Sequence, residues 1–320
     1  MFTGGKMRIL VTGGVGFIGS NFIHYLVGLD LKNVEIIILD KLTYAADLRN
    51  LDGLKENSFE LVVGDICDKE LVSRIFPGTD YVIHFAAESH VDNSIASPDE
   101  FITTNIIGTQ ILLDSAKMYG IKKFLYISTD EIYGSILEGS FVENDNFNPS
   151  SPYSASKAAG ELLVISYGTT FGINYNISRC SNNYGPRQNK EKLIPHFIDM
   201  LQNLKPVPLY GNGLNIRDWI YVEDHCEAIY RILMSGGSSQ IYNVSGSEEL
   251  SNIEVTEKLL GLMGLDKNMI NYVEDRPGHD FRYSISADKI KNELGFIAKT
   301  NFNEGIRKTL EWYEKKQINS

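Results

Sequence analysis

A chain of 320 residues suffices for one large domain or two, with a core that needs neither disulfides nor a metal. Its 30 Lys and Arg against 41 Asp and Glu give a net charge of −11, so nucleic acid and anionic membrane surfaces are repelled overall and neither is an expected partner. A hydrophobic content of 43% and a charged content of 22% exclude disordered and fibrous classes, and apolar runs such as residues 34–39 are too short to cross a bilayer.

The leader, residues 1–6, carries two glycines and little apolar content and reads either as a frayed extension or as a remnant added ahead of Met7. Short β-branched runs then alternate with segments of helical period. Strands are expected at 8–12, 34–39, 59–63, 81–85 and 124–128, with a helix at 17–27 after the first. Longer helices are expected at 99–118 and 154–171, and a further strand at 174–180. This alternation predicts an α/β fold, a Rossmann-type doubly wound parallel sheet, whose strands read as near-continuous Val, Ile and Leu because both faces are buried. Beyond Tyr184 the alternation weakens, which predicts a smaller C-terminal substrate-binding lobe. Residues 7–184 are expected to form the sheet domain and 185–320 mainly the smaller lobe, with the chain free to cross between them. Segments 253–262 and 302–313 have apolar residues at helical spacing and are read as core packing. Cys67, Cys180 and Cys226 form no Cys-x-x-Cys pair, and no signal peptide is evident, so a reducing cytoplasm is expected and no metal site is assigned.

Directly after the first strand stands Thr12-Gly13-Gly14-Val15-Gly16-Phe17-Ile18-Gly19. A strand, a glycine turn and a helix start in that order suit a dinucleotide: Gly13 and Gly14 turn tightly, Gly16 lets backbone approach a pyrophosphate, and Gly19 lets the helix pack on the strand. The second strand ends in Asp40, about 20 residues on, where a carboxylate accepts ribose hydroxyls and repels the extra phosphate of NADP. NAD is therefore expected, although Lys41 next door keeps NADP open. Asp65, at the end of the third strand, either receives the adenine amino group or caps a helix before Asp68.

Tyr153 and Lys157 stand four apart in a helical segment and so share a face. A free phenol titrates near 10, and a neighbouring ammonium together with a nicotinamide cation would favour the phenolate. Ser128, Thr129, Asp130 and Glu131 close a strand and should emerge at the carboxyl edge of the sheet, where such folds bind ligands. Two carboxyl groups in one partly desolvated pocket have their ionisation pushed apart, so that one serves as acid and the other as base. Outside that context a Tyr-x-x-x-Lys pair is surface decoration and an Asp-Glu pair is a solvated turn.

With these residues placed, the chain resembles the extended short-chain dehydrogenase/reductases and, within them, the dTDP-glucose 4,6-dehydratase family. The likeness spans nearly the whole sequence: TGGVGFIG (12–19), DKLTYA (40–45), HFAAESHVD (84–92), STDEIYG (128–134), YSASKAAGE (153–161), SNNYGP (181–186), EKLIP (191–195), RDWIYVEDH (217–225) and DRPGHD (275–280). The acidic pair after Ser-Thr separates it from nucleotide-sugar epimerases, which lack the pair, and from GDP-mannose dehydratases, which usually keep only the Glu. The resemblance implies that Tyr153, backed by Lys157 and Ser128, takes the C4 hydroxyl proton while hydride passes to NAD. Glu131 then removes the C5 hydrogen, Asp130 protonates the departing C6 hydroxyl, Thr129 bonds the C4 oxygen, and hydride returns to C6.

It further implies cofactor contacts at Gly13, Gly16, Phe17, Ile18, Gly19, Asp40, Lys41, Leu42, Thr43, Asp65, Ile66, Phe85, Ala86, Ala87, Ser89, His90, Thr104, Tyr153, Lys157 and Asn183, with NAD tightly bound and recycled. Substrate contacts are implied at Ser89, Thr129, Asn182, Lys192, Leu193, Pro208, Tyr210, Arg217, Asn243, Asp275, Arg276 and His279; the planar fork of Arg217 suits a diphosphate. A homodimer through a four-helix seam of segments 99–118 and 154–171 is implied too. Asn93 and the stretch Arg187-Gln188-Asn189-Lys190 depart from the family's usual text, at a lid over the substrate. The alternatives are a dehydratase, epimerase or decarboxylase acting on another nucleotide sugar, and a non-catalytic NAD-binding regulator.

Overall fold

In the computed structural model, which describes residues 6–55, 57–275 and 277–318, the β-branched runs form a parallel sheet. Its strands are β1 (Met7–Thr12), β2 (Val34–Asp40), β3 (Glu60–Val63), β4 (Tyr81–His84), β5 (Lys123–Thr129) and β6 (Tyr175–Cys180). They lie in the order β3-β2-β1-β4-β5-β6, all parallel. The order reverses between β1 and β4, and the crevice at such a reversal is where this architecture binds ligands. A seventh parallel strand, β10 (Gln240–Val244), continues the sheet beside β6.

Helices cover both faces, as the doubly wound pattern predicts. On one side α1 (Phe17–Gly28) and α8 (Val222–Ser235) bury Phe22, Ile23, Leu26, Ile229 and Ile232 against the sheet. On the other, α2 (Lys69–Ile75), α5 (Thr109–Tyr119) and α6 (Pro152–Phe171) bury Val72, Leu112, Leu113 and Val164. Although α8 and β10 follow residue 185 in sequence, their apolar faces belong to the large sheet, so the chain returns to it. The remainder forms the smaller lobe: α7 (Leu193–Gln202), α9 (Asn252–Met263) and α11 (Phe302–Ile318) pack with Tyr184, Trp219, Tyr221 and Phe302. Two small sheets join it, β7 (Asn182–Tyr184) with β9 (Ile216–Tyr221) and β11 (Glu249–Ser251), and β8 (Val207–Tyr210) with β12 (Ile270–Val273). No described helix is long and apolar enough to cross a membrane.

Two local departures from the expected elements matter for the site. α6 starts at Pro152 rather than 154, because Ser151 and Ser154 form a reciprocal capping box with proline at the first position; Tyr153 therefore lies in the first turn. The helix expected at 99–118 is α4 (Asp99–Ile102) and α5 joined by a π turn, Thr103–Gly108. There Asn105 bonds both the amide and the carbonyl of Glu88 and the Ser156 hydroxyl. A Cβ on Gly108 would stand 2.4 Å from Ile66, so the helix passes close beneath the cleft wall.

Candidate active site

At one end of the crevice the glycine turn is shaped by close backbone approach. Gly13 has φ +70, and a Cβ there would lie 2.6 Å from the Ala86 amide, so only glycine fits. A Cβ on Gly19 would lie 2.2 Å from the Gly13 carbonyl. Gly16 begins α1 with no side-chain cap, which leaves first-turn amides for an anion. Asp40 accepts the Val15 and Leu42 amides at 2.9 Å each; burial pushes its carboxyl up, and those two amides pull it back. The cap of α2 is Asp68, not Asp65. Asp65 instead accepts the Cys67 amide and pairs with Lys41 at 2.9 Å. Burial raises it, but the amide and the ammonium outweigh burial and hold it below the usual carboxylate range.

At the other end, β5 runs directly into a 3-10 turn, Asp130–Tyr133. The Thr129 hydroxyl accepts the Glu131 amide and donates to Asp130, both at 3.3 Å. Asp130 is 3% exposed. Burial first, then the carboxylates of Glu131 and Asp218, push its carboxyl well above the ordinary range, against Arg217 and Thr129. The protonated acid is thus favoured there. The Tyr153 phenol is likewise pushed well up, by burial and then by Glu131. Without the nicotinamide cation, then, the neighbouring Lys157 does not by itself bring the phenol down. The Lys157 ammonium donates to the Ile127 carbonyl at 2.7 Å and lies 4.3 Å from the centre of the Tyr126 ring, while burial lowers it to about 8. Desolvation of both groups outweighs their four-residue spacing.

The two ends share one cleft. It gathers Gly13, Gly16, Phe17, Ile18, Gly19, Asp40, Lys41, Thr43, Asp65, Ile66, Phe85, Ala86, Ala87, Ser89 and Thr104 with Ser128, Thr129, Asp130, Glu131, Tyr153, Lys157, Asn182, Asn183 and Lys192. Five residues that line it each carry a buried polar atom with no hydrogen-bond partner among the described residues: Ser128 Oγ, Asp130 Oδ2, Ser181 Oγ, Asn182 Oδ1 and Gln188 Oε1. Orphaned buried groups are costly, and a polar ligand in the cleft would satisfy them. The glycine turn, the bare start of α1 and these atoms fit a dinucleotide lying along the crevice.

Other expected residues lie off this wall. Leu42 turns its side chain to the core, and His90 caps α3 (Val91–Ala96) by accepting the Asn93 amide. Leu193 opens α7, and Pro208 and Tyr210 lie on β8. Arg217 donates to the carbonyls of Ile216 at 2.7 Å and Asp280 at 3.0 Å, with its guanidinium 4.2 Å from the centre of the Tyr283 ring. His279 and Asp275 pair at 2.6 Å, beside Tyr210. Arg276 lies outside the described residues. Asn243 is a correction: fully buried on β10, it accepts from the Tyr133 hydroxyl at 2.9 Å and donates to the Phe141 carbonyl at 3.1 Å. Its side chain is engaged in the packing and not turned to the cleft.

Sequence reading left Cys180, Gln188, Asn189 and Glu191 out of the expected site, and all of them line the cleft. The Cys180 thiol is pushed up to about 12, mainly by burial, which disfavours its thiolate. Residues 186–192 form a strap across the crevice. Arg187, at φ +70, bonds the Asn50 carbonyl and Asn21 at 3.1 and 3.0 Å, Asn189 bonds the Tyr44 carbonyl at 3.3 Å, and Lys192 bonds the Ser89 carbonyl at 2.7 Å. The four-residue departure from the family's text was the signal available.

The profile of the GDP-mannose 4,6 dehydratase family matches residues 10–309. A dTDP-glucose 4,6-dehydratase of Streptomyces niveus is 45% identical over 311 residues, covering 96% of this chain and 93% of that protein. The chain belongs to the dTDP-glucose 4,6-dehydratase family. The low-salt glycan biosynthesis protein Agl12 of Haloferax volcanii is 48% identical over 308 residues, 96% of this chain and 98% of its own length. The crystal structure of DesIV, a dTDP-glucose 4,6-dehydratase of Streptomyces venezuelae with NAD bound, has a TM-score of 0.95 at 44% identity and covers 98% of both chains. The profile names GDP-mannose, and two of these relatives name dTDP-glucose.

Proposed function

We propose that this chain is a hydro-lyase that converts dTDP-glucose to dTDP-4-keto-6-deoxyglucose and water, in the making of rhamnose-type deoxysugar nucleotides. The observation that carries the reading is Asp130, whose surroundings favour its protonated form, next to Glu131 in the same cleft as Tyr153, Lys157 and the glycine turn. When bound, NAD accepts a hydride from C4 and returns it to C6, and its positive ring favours the Tyr153 phenolate that burial disfavours. The phenolate takes the C4 hydroxyl proton, leaving a ketone that acidifies the hydrogen at C5. Glu131 removes that proton, and Asp130 gives its own to the C6 oxygen, which departs as water. The proton held on Glu131 goes back to C5, so the sugar loses one water and no net electrons.

Arg217 and Lys192 supply positive charge for the diphosphate. Ser89, Asn182, Leu193, Pro208, Tyr210, Asp275 and His279 border the sugar and nucleotide. Exposed apolar side chains at Ile102, Ile107 and Leu162 support a homodimer through segments 99–118 and 154–171, and the free cysteines support a cytoplasmic location. Incubation with dTDP-glucose, UDP-glucose, CDP-glucose and GDP-mannose tests the reading. A 4-keto-6-deoxy product from dTDP-glucose is expected, and UDP-galactose as sole product would refute it.

A further inference from the structure

Two buried charges that the reaction does not use stand on β6 and α6. Arg179, on β6, and Glu161, on α6, are 2% and 0% exposed. Arg179 donates to Glu161 Oε1 through Nε, at 3.0 Å, and through a second nitrogen. Its remaining nitrogen donates to the Tyr133 hydroxyl and, at 2.8 Å, to the Glu143 carbonyl. The guanidinium lies 4.9 Å from the ring centres of both Tyr133 and Phe147, and Phe141 stacks on Tyr133 at 5.0 Å. The Tyr133 hydroxyl in turn donates to Asn243 Oδ1 at 2.9 Å. One phenol thus joins a buried ion pair to the last strand of the sheet.

Tyr133 ends the four-residue 3-10 turn that begins with Asp130, and in a 3-10 helix side chains three apart eclipse one another. Asp130 and Tyr133 therefore share a face, and both are buried, at 3% and 1% exposure. The middle of the turn is pinned through its backbone, by the Thr129 hydroxyl on the Glu131 amide and by the Asn148 amide on the Ile132 carbonyl at 2.9 Å. Between those anchors Ile132 is fully buried with Ala158 and Ile285, an apolar contact without the direction of a hydrogen bond. The phenol, held on both sides, adds the directional constraint on the roll of the turn.

We propose that Tyr133 is a positioning residue for elimination: by tying the Asp130–Tyr133 turn to the Arg179–Glu161 pair and to Asn243, it aims Asp130 and Glu131. The inference rests on the dehydratase reading and deepens it. Glu161 lies one turn beyond Lys157 on the helix that carries Tyr153, so the ion pair anchors the oxidising groups directly. Tyr133 is the branch from that anchor to the acid pair. Removing only its oxygen keeps the ring stack and the ion pair, so the turn loosens while Tyr153 and Lys157 stay in place. Oxidation at C4 and elimination across C5 and C6 then respond differently.

The test is Tyr133→Phe in the NAD-loaded enzyme, mixed with dTDP-glucose in single turnover while NADH absorbance and the keto product are followed. C4 oxidation should stay within about twofold of wild type and elimination should slow roughly tenfold, so NADH accumulates where the wild type shows little; KM should hardly move. Asn243→Leu, which removes the acceptor but leaves the phenol on Arg179, should give the same NADH build-up, and it carries the test if Tyr133→Phe does not fold. A variant with lowered melting temperature but unchanged step rates would mark Tyr133 as packing only and overturn the proposal, as would equal slowing of both steps. Wild-type protein that forms no keto sugar would instead overturn the dehydratase reading.

Discussion

Replacing Lys157 with Met should stabilise the protein while ending turnover. Burial lowers the ammonium from 10.5 to about 8, which corresponds to about 3 kcal/mol against the charged form near neutral pH. Met has a similar length and no charge, so it escapes that cost. It also gives up the 2.7 Å bond to the Ile127 carbonyl, a loss of about 1 kcal/mol. The variant should therefore gain about 2 kcal/mol, read as a higher urea midpoint for dinucleotide-free protein at about pH 7. Because the folded pKa lies below the unfolded one, the unfolded chain binds the extra proton between about 8 and 10.5, and wild-type stability recovers as pH rises through that window. The gap between the proteins must close over the same range. A variant less stable near neutral pH, or a gap that ignores pH, would refute the argument that this lysine is held charged at a cost to the fold.

Burial raises Asp218 to about 6 from 3.8. The folded chain thus keeps a proton that the unfolded one releases, and stability should fall as pH climbs from about 4 to about 6; melting curves of Asp218→Asn should show a flatter slope in that window. Arg187→Ala removes two bonds that fasten the strap, so bound NAD should leave roughly tenfold faster, seen as NAD content after gel filtration; unchanged retention would contradict the strap's role. Ile107→Asp combined with Leu162→Asp should convert a dimer into monomers in sedimentation experiments. A wild type that is already monomeric, or a variant that stays dimeric, would contradict the helical seam.

The parts of the molecule that could be read from the sequence are those that neighbouring residues decide. The glycine turn, Asp40 at the strand end and the burial of the strands each follow from a few consecutive side chains, and the structure has the parallel sheet they imply. What could not be read depends on distant partners. The spacing of Tyr153 and Lys157 gives a shared face, but not the Ile127 carbonyl that takes the ammonium or the burial that lifts the phenol. Asn243 looks like any polar strand residue until β10 pairs with β6 and Tyr133 reaches it across 110 positions. The π turn at Thr103–Gly108 comes from Asn105 serving Glu88 and Ser156, and the strap from Arg187 meeting Asn21 and Asn50. No local pattern encodes such meetings.

The most direct test of the central claim follows one hydrogen. dTDP-glucose carrying deuterium at C4 should yield dTDP-4-keto-6-deoxyglucose with the deuterium at C6 of the same molecule and no NADH released. Deuterium lost to solvent, left at C4, or carried off on free NADH would contradict an enzyme that holds a hydride only long enough to let Glu131 and Asp130 expel water.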